Sequence, residues 1–342
     1  MKILIIRFSS IGDIVLTSPI IRCIKQQLKN VQVHYITKKQ FATILESNPF
    51  IDKLYTIESR VLGTKVSALL KKENYDFVVD LHNNLRSAHV KAVLGKKSKS
   101  FYKLNIEKWL MTNFKMNKLP NIHIVDRYFE TVKSLGVVND GKGLDYFIPE
   151  RDNIESESLP VEFQNASPTE QSFGRGYIGF VIGAKYFTKQ LPKEKIVSII
   201  QKLNQPVVLL GGKEDYEKGE QIQAAINSGG RQTAILNACG KYNLNQSAVL
   251  VKKAKKIITH DTGLMHIAAA FKKEIVSIWG NTIPEFGMYP YYGKFDVKNL
   301  KVEVKNLSCR PCSKLGFEKC PKKHFKCMNE INEEAIIQFV NE

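Results

Sequence analysis

The chain has 342 residues, more than one α/β core usually holds, and this length suits two α/β domains. Its formal charge of +18 predicts a polyanionic partner, such as nucleic acid, an anionic membrane face or a phosphorylated glycolipid. The apolar run from Met1 to Ile6 is interrupted by Arg7, so we expect neither a signal peptide nor a membrane span, and a location in the cytosol.

The first predicted strand spans Lys2 to Arg7 and is buried, because its apolar character is nearly continuous. A polar loop follows, and a helix is predicted to start near Ile14. Ser10 and Gly12 favour exposed backbone amides in this loop. Asp13 would project over the carboxyl edge of the sheet, where open α/β sheets bind ligands. Taken alone, the residues favour a simple capping carboxylate at Asp13.

Two more strands are predicted in this half, at residues 31–37 and 77–81, with a helix at about 40–47 after the first of them. Arg86 then begins a basic segment. The segment also contains His89, Lys91, Lys96, Lys97 and Lys99. Such a segment is usually a solvated helix face, although its place beside Asp13 also suits an anionic acceptor.

Residues 103–118 mix aromatic and basic side chains. This pattern fits a helix that rests on a membrane surface, and more often an ordinary packed helix. A helix that starts at about His123 and runs to Gly136 is predicted next. Residues 139–176 are rich in small and polar residues and form the best linker candidate.

The second half repeats the alternation of strands and helices. A strand at 177–182 leads into a loop that contains Thr188 and Lys189, and a helix follows at about 193–203. The next strand, at 206–210, ends in a glycine-rich turn with Glu214 and Asp215, whose carboxylates suit ribose hydroxyls.

Residues 257–271 predict a strand, a tight turn and a helix, since the apolar residues after the turn recur on one helix face. Thr262 is a natural N-cap. Gly263 lets a ligand approach the backbone, so the first-turn amides would point at a phosphate.

In the same turn, Asp261 would accept hydrogen bonds from sugar or ribose hydroxyls, and His266 lies one helical turn past the cap on the same side. An ordinary capped helix with a core-facing histidine explains the pattern as well, because strand–turn–helix joints are common in α/β domains.

Four of the six cysteines stand close together near the end of the chain. They are Cys309, Cys312, Cys320 and Cys327. In the cytosol they would stay reduced or bind metal. Four thiolates suit zinc, but the second pair is separated by six residues instead of two, so we expect no metal and keep zinc as the minor alternative.

Two separated motifs carry a resemblance. The sequence R-F-S-S-I-G-D-I-V-L-T-S-P at residues 7–19 and D-T-G-x-x-H at 261–266 resemble, in the right order, glycosyltransferase family 9, the ADP-heptose:lipopolysaccharide heptosyltransferases. The resemblance implies a GT-B fold, with two Rossmann-like domains whose parallel sheets face a central cleft.

The resemblance also implies an acceptor-binding domain at residues 1–150, a linker at 151–176 and a nucleotide-sugar-binding domain at 177–325. By analogy with other GT-B proteins, the C-terminal helix within 326–342 would pack back on the first domain.

Roles for single residues follow from the same resemblance. Asp13 would be the general base that takes the proton of the acceptor hydroxyl, which implies its partial desolvation by the bound acceptor. Lys189 would contact the nucleotide phosphates. The remaining acceptor residues would be Ser10, Gly12, Arg86 and His123. The remaining donor residues would be Thr188, Glu214, Asp215, Asp261, Thr262, Gly263 and His266.

The implied reaction is an inverting transfer of heptose from ADP-heptose, or a related nucleotide sugar, to the anionic inner core of lipopolysaccharide. The enzyme would need no cofactor and would bind peripherally to the cytoplasmic face of the inner membrane. The sequence has no D-x-D motif, so the leaving group would be stabilised by helix N-termini and Lys189 instead of a metal.

Two alternatives stay open. One is a family 9 enzyme that uses a different nucleotide sugar. The other is a polyanion-binding or RNA-binding protein without enzymatic activity, which would explain the charge but not the placement of Asp13 and Asp261. No RNA-binding motif is evident, so nucleic acid is not the expected partner.

Overall fold

The computed structural model describes residues 1–58, 63–155, 158–164, 176–229 and 233–342. The chain forms two compact units. The first consists of Met1–Leu104, Ile122–Pro149 and Tyr291–Phe295. The second consists of Asn105–Asn121, Glu150–Pro290 and Asp296–Glu342.

A five-stranded parallel sheet is the centre of the first unit. Its strands are β1 (Lys2–Ile6), β2 (Gln32–Lys38), β3 (Lys53–Ile57), β4 (Phe77–Asp80) and β5 (Ser98–Ser100). They lie in the order β3-β2-β1-β4-β5, so Ile6 of β1 is paired with Ile36 on one side and with Asp80 on the other. The strand order reverses at β1, and the carboxyl end of that strand is where a doubly wound sheet opens a crevice for ligands.

Short helices connect these strands. They are α1 (Ile11–Val15), α2 (Ser18–Gln27), α3 (Thr64–Lys72), α4 (Leu85–Leu94) and, after the second-unit helix α5 (Asn105–Phe114), α6 (Ile124–Phe129). The predicted α-helix at 40–47 is a 3-10 helix, Lys39–Ile44. The helix predicted to reach Gly136 ends at Phe129, and the 3-10 helix Lys133–Leu135 follows it.

The second unit contains a six-stranded parallel sheet. Its strands are β6 (Ile178–Val181), β7 (Val207–Leu210), β8 (Ile235–Asn237), β9 (Lys256–His260), β10 (Glu274–Trp279) and β11 (Asn299–Glu303). The order is β11-β10-β9-β6-β7-β8. The order reverses at β6, so the loops after β6 and β9 are neighbours at the ligand-binding edge.

Six further helices belong to this unit. They are α7 (Lys193–Gln201), α8 (Tyr216–Asn227), α9 (Leu244–Lys253), α10 (Gly263–Ala270), α11 (Lys326–Asn329) and α12 (Glu333–Asn341). The remaining 3-10 helices are Glu150–Asp152, Val161–Phe163, Phe187–Lys189, Lys213–Asp215 and Pro284–Phe286. Within the described residues, no helix is long and apolar enough to cross a membrane.

The C-terminal helix packs into the core of the second unit. Ile336 and Val340 of α12 are buried in the same core as Ile278 of β10. Glu333, at the start of α12, accepts hydrogen bonds from Lys195 and Ser198 of α7, each 2.6 Å long. The helix therefore belongs to the second unit, whose core covers its apolar face. The expected packing on the first domain stays a prediction.

The predicted domain boundaries also differ from the compact units. Residues 105–121 lie inside the predicted first domain, but they belong to the second unit. The predicted linker at 151–176 lies partly outside the described residues, and its described part includes the buried side chain of Phe163.

Replacing the fully buried Ile336 by Ala should cost about 2–5 kcal/mol, because it leaves a cavity in the core of the second unit. Hydrogen exchange should then become faster in α7 and β10 while β1 and β4 keep their protection. The matched control is Gln338→Ala, an exposed position on the same helix. Faster exchange in the first unit would contradict the assignment of α12.

Candidate functional sites of the two units

The loop after β1 places Asp13 at the edge of the first sheet. Ser10 donates to Asp13 Oδ2 from its backbone N–H at 3.1 Å and from its hydroxyl at 2.7 Å. Gly12 is buried inside α1 and does not lie in an exposed loop. Ser10 therefore positions the Asp13 carboxylate, and the predicted direct contacts of Ser10 and Gly12 with an acceptor remain untested.

Arg7 forms an ion pair with Asp13, with Arg7 Nη2 2.6 Å from Asp13 Oδ1. The guanidinium is buried and is fixed by the carbonyls of Ser9 and Leu81 and by the hydroxyl of Tyr128. One fifth of the Asp13 side chain remains exposed, so an incoming hydroxyl can reach it. The two partners leave lone pairs of the carboxylate open for a further donor.

Opposing effects set the pKa of Asp13. Burial by itself would raise it, but the charge of Arg7 and the hydrogen bonds from Ser10 outweigh burial and hold the pKa below its usual value. Asp13 is therefore ionised at neutral pH, which a base requires. The expected desolvation is present, yet in this state it does not make the carboxylate a stronger base.

His82 and Arg86 meet around the ring of Phe8. The His82 ring packs edge-on against Phe8 with centroids 5.1 Å apart, and Arg86 Cζ lies 5.3 Å from the Phe8 centroid. In the described part of the chain, His82 Nδ1 and Arg86 Nε are buried without a hydrogen-bond partner. Both atoms are enclosed by the protein, and the predicted acceptor role of Arg86 stays a prediction.

His82 is electrostatically coupled to the Asp13 site. Burial and the positive charges of Arg7 and Lys103 lower the pKa of His82 to about 3, so the ring is neutral near pH 7. Neither His82 nor Arg7 was chosen from the sequence. The only available signal was position, because both follow directly after the strands β1 and β4 that meet at the crevice.

In the basic segment after β4, Lys91 is half-buried, whereas His89, Lys96, Lys97 and Lys99 are exposed as a solvated face predicts. Lys91 Nζ lies 2.9 Å from the fully buried carboxylate of Asp80. Asp80 also accepts from the backbone of His82 and Asn83 and from the hydroxyl of Ser87. The Asp80–Lys91 pair thus fixes the turn that carries His82, and Lys91 is not part of a solvated basic face.

His123 caps a helix in the first unit. Its Nδ1 accepts from the backbone N–H of Val125 at 3.2 Å, and its ring stacks on Tyr291 with centroids 4.6 Å apart. Only 3% of His123 is exposed. Its observed contacts are those of a structural residue, and the predicted acceptor role remains untested.

In the second unit, Lys189 and Asp261 bind each other. Lys189 Nζ lies 2.5 Å from Asp261 Oδ2, and Thr282 donates to the same oxygen at 3.0 Å. Lys189 follows β6 and Asp261 follows β9, the two strands that flank the reversal of strand order. The structure thus brings the predicted phosphate contact and the predicted sugar contact together.

Thr188 lies next to Lys189, and its side chain is buried and hydrogen-bonded. It is 2% exposed, and its single hydroxyl proton lies between two acceptors, Asn281 Oδ1 and the carbonyl of Phe317, each 3.1 Å from Oγ1. The same hydroxyl accepts from the backbone N–H of Phe317 at 2.8 Å. These contacts occupy the hydroxyl, so Thr188 stabilises the turn that carries Lys189. Its predicted direct contact with the donor stays a prediction.

Helix α10 begins at Gly263, with Thr262 at the N-cap position in an extended conformation. The Thr262 side chain makes no capping hydrogen bond. Its hydroxyl lies 3.4 Å from that of Thr259. The first-turn amides are thus not capped by Thr262 and suit an anion. His266 is 2% exposed, as the core-facing alternative predicted.

Glu214 and Asp215 differ in exposure. Asp215 is buried, and its Oδ2 accepts from the backbone of Gly212 at 2.9 Å. It packs so close to Gly183 that a Cβ at that glycine would lie 1.9 Å from Oδ2. Burial raises the pKa of Asp215. Asp215 therefore has the contacts of a structural residue, whereas Glu214 is exposed. The predicted role of both carboxylates toward ribose hydroxyls stays a prediction.

The cysteines near the end of the chain are free thiols, and Cys327 is buried. Cys309 Sγ lies 3.8 Å from His324 Nε2, but the described residues contain no group of three or more ligands that could hold a metal. Burial and neighbouring thiols raise the pKa of Cys312 to about 11 and that of Cys327 to about 12. The expectation of no metal and its zinc alternative both stay predictions.

The fold defines the class. Two parallel α/β sheets of this kind, each with polar loops at its carboxyl edge, match the GT-B structures of heptosyltransferases. A glycosyltransferase family 9 structure from Veillonella parvula covers 98% of this chain and 95% of its own, at a TM-score of 0.72 and 21% identity. The Escherichia coli ADP-heptose lps heptosyltransferase II covers 100% and 98%, at 0.71 and 21%.

Sequence comparison identifies the family. The family model for glycosyltransferase family 9 (heptosyltransferase) matches residues 64–316. A lipopolysaccharide heptosyltransferase 1 from Campylobacter coli is 26% identical over 100% of this chain and 98% of its own. The chain belongs to glycosyltransferase family 9, so it is a glycosyltransferase. The resemblance seen in the two motifs is thereby confirmed.

Because Arg7 holds the pKa of Asp13 down, Arg7→Gln should raise that pKa. If Asp13 is the base, the acid limb of kcat/KM should then move to higher pH, since activity needs the unprotonated carboxylate. The direct measurement is a ¹³C NMR titration of the Asp13 carboxyl. The control Lys39→Gln removes an exposed cation paired with Glu58 and should leave Asp13 unchanged. An unshifted Asp13 in Arg7→Gln would contradict the analysis.

Proposed function

We propose that this enzyme transfers heptose from ADP-heptose to a hydroxyl of the inner core of lipopolysaccharide, with inversion at the anomeric carbon. The observation that carries the proposal is the ionised Asp13, held by Arg7 and Ser10 at the carboxyl edge of the first sheet. Two relatives support this choice of donor, one named as a lipopolysaccharide heptosyltransferase and another as an ADP-heptose lps heptosyltransferase. We place the reaction at the cytoplasmic face of the inner membrane, with peripheral contact.

In the proposed step, Asp13 takes the proton of the acceptor hydroxyl as its oxygen forms a bond to the anomeric carbon. The bond from that carbon to the β-phosphate oxygen breaks, and ADP leaves with the electron pair. Arg7 stabilises the charged form of Asp13 before the reaction and so lowers its basicity. Positioning of the acceptor hydroxyl must therefore supply most of the rate acceleration that a stronger base would provide.

The acceptor core is anionic, and two groups beside Asp13 suit it. Arg86 supplies a positive charge against Phe8, and neutral His82 presents an Nδ1 atom that makes no hydrogen bond within the described residues. A guanidinium matches a sugar carboxylate or phosphate in two-point contact. We propose that this pair orients the acceptor while Asp13 acts on the hydroxyl.

The donor diphosphate would bind at the start of α10, where the first-turn amides are not capped by Thr262. Lys189 is paired with Asp261 and would turn to the phosphates when the donor binds. Asp261 would keep its hydrogen bond from Thr282 and accept another from a sugar hydroxyl. Lys189 and the amides would stabilise the leaving ADP without a metal.

The function is tested by turnover with a panel of nucleotide sugars in the presence of EDTA, using wild type, Asp13→Asn and the exposed control Glu58→Gln. ADP-heptose should give the highest kcat/KM. Asp13→Asn should lower kcat by roughly 10²–10⁴ while it still binds ADP. Preference for another nucleotide sugar would favour the family 9 alternative. Absence of any transfer, with tight RNA binding, would favour the polyanion-binding alternative.

The Lys189–Asp261 pair predicts two different binding defects. Asp261→Asn should weaken a non-hydrolysable sugar nucleotide by roughly 1.5–3 kcal/mol and spare ADP, because the lost charged acceptor serves the sugar. Lys189→Met should weaken both ligands, because both carry the diphosphate. Calorimetry with the two ligands separates the roles. Equal losses in Asp261→Asn would reassign Asp261 to the nucleotide, and unchanged binding would leave it a structural role.

A further inference from the structure

Helix α5 presents an apolar side to solvent. Ile106, Trp109, Leu110 and Phe114 stand at i, i+3, i+4 and i+8, which is one side of a helix. No residue of α5 is buried; Ile106 is 66% exposed, Trp109 54% and Phe114 59%. The rings of Trp109 and Phe114 contact each other at 5.1 Å. A globular protein normally buries such a stripe against its core. Here the stripe is exposed, so the predicted packed helix was wrong. The stripe is therefore a candidate contact surface for another molecule.

A basic segment of the same unit lies against the end of α5. Lys115, just after the helix, donates to the carbonyls of Pro311 at 2.7 Å and Cys309 at 3.4 Å. The chain that continues from there, residues 314–323, exposes Leu315 and Phe317. It also exposes Lys314, Lys319, Lys322 and Lys323, with Glu318 as its one acidic residue. Apolar and cationic side chains are therefore mixed on both segments.

We propose that α5, Met116, Lys118 and residues 314–323 form a docking surface for an anionic lipid membrane. Aromatic and aliphatic side chains would enter the boundary between headgroups and acyl chains, and the lysines would face anionic headgroups. With ten residues, α5 is too short to span a bilayer and would lie along its surface. The proposal rests on the proposed function for its purpose, which is to bring the enzyme to a membrane-anchored glycolipid.

Charge and side-chain type favour lipid over other occupants. Two copies of the chain joined through this surface would bring like charges together, which opposes self-association. A nucleic acid would suit the lysines and the aromatic rings. It offers no apolar environment for the exposed aliphatic side chains of Ile106, Met116 and Leu315. An anionic bilayer matches both kinds of side chain.

The test is co-sedimentation of the full chain with vesicles of phosphatidylethanolamine and phosphatidylglycerol, compared with pure phosphatidylcholine. Wild type should bind the anionic vesicles at least tenfold more tightly. Trp109→Ser/Phe114→Ser should lose at least tenfold of that affinity, and Lys118→Glu/Lys322→Glu should lose severalfold. Leu69→Ser/Val161→Ser, which removes exposed apolar side chains outside this surface, should bind like wild type.

Fluorescence locates the contact. The chain has two tryptophans, and Trp279 is 1% exposed, so quenching by brominated lipids reports on Trp109. Quenching on anionic vesicles is expected. Unchanged vesicle binding in Trp109→Ser/Phe114→Ser, or binding without quenching, would overturn the proposal. So would dimerisation or RNA binding that this double variant abolishes.

Vesicle binding is measured without turnover. A negative result would therefore count against the docking surface and not against the proposed transferase function. Loss of docking with normal transfer to a soluble acceptor fragment would leave the transferase intact. Unaltered ADP binding by calorimetry shows that the variants are folded, since none of the substituted residues belongs to the candidate donor or acceptor sites.

Discussion

The buried guanidinium of Arg7 is the interaction on which the first site depends. It binds Asp13, the carbonyls of Ser9 and Leu81, and the hydroxyl of Tyr128. These partners come from the loop after β1, the end of β4 and α6, so one side chain joins the elements that meet at the crevice. Loss of Arg7 would leave a carboxylate uncompensated in a largely buried position, which is far more costly than loss of an exposed pair.

The same electrostatic arrangement recurs in the second unit. Asp261 has Lys189 and Thr282 as partners, just as Asp13 has Arg7 and Ser10. In both places a carboxylate is paired with a cation and accepts a hydrogen bond from a hydroxyl at the carboxyl edge of a parallel sheet. The two cations differ in freedom. Arg7 is locked by three further acceptors, whereas Lys189 has one long additional contact, 3.5 Å to the Asp261 carbonyl. Lys189 is therefore the one suited to change partner when a ligand arrives.

The sequence predicted the elements that rest on periodicity and strand ends. The strands β1, β4, β6 and β9 and the turn at Asp261–Gly263 appear within one or two residues of their predicted bounds. Continuous apolar runs of this kind are read as buried parallel strands, and local caps mark where helices start. The two motifs that gave the family also lie at these strand ends.

Other parts of the site could not be predicted, because they depend on contacts between distant residues. Asp215 looked like a ribose ligand until Gly183 was seen beside it, and Lys91 looked solvated until Asp80 was seen beneath it. Thr188 reads as a donor contact in the sequence, but Phe317, far along the chain, occupies its hydroxyl. For α5 the predicted helical periodicity was correct, but its apolar side faces solvent instead of the core. Sequence periodicity does not specify which way an apolar helix side faces.

The ion pairs also indicate which side chains carry the excess positive charge. The sequence has 51 Lys and Arg against 33 Asp and Glu, so at least 18 cations have no carboxylate of their own if pairs are one to one. Several carboxylates are already committed to inward-facing pairs, among them Asp13, Asp80, Asp261 and Glu333. Glu73 pairs with both Lys2 and Lys53, so one carboxylate there serves two cations. Each inward pair removes one acid and one cation from the surface, so the excess positive charge is carried by the remaining side chains. The protein surface is selective only where, as along α5 and residues 314–323, apolar side chains are interspersed with the charge.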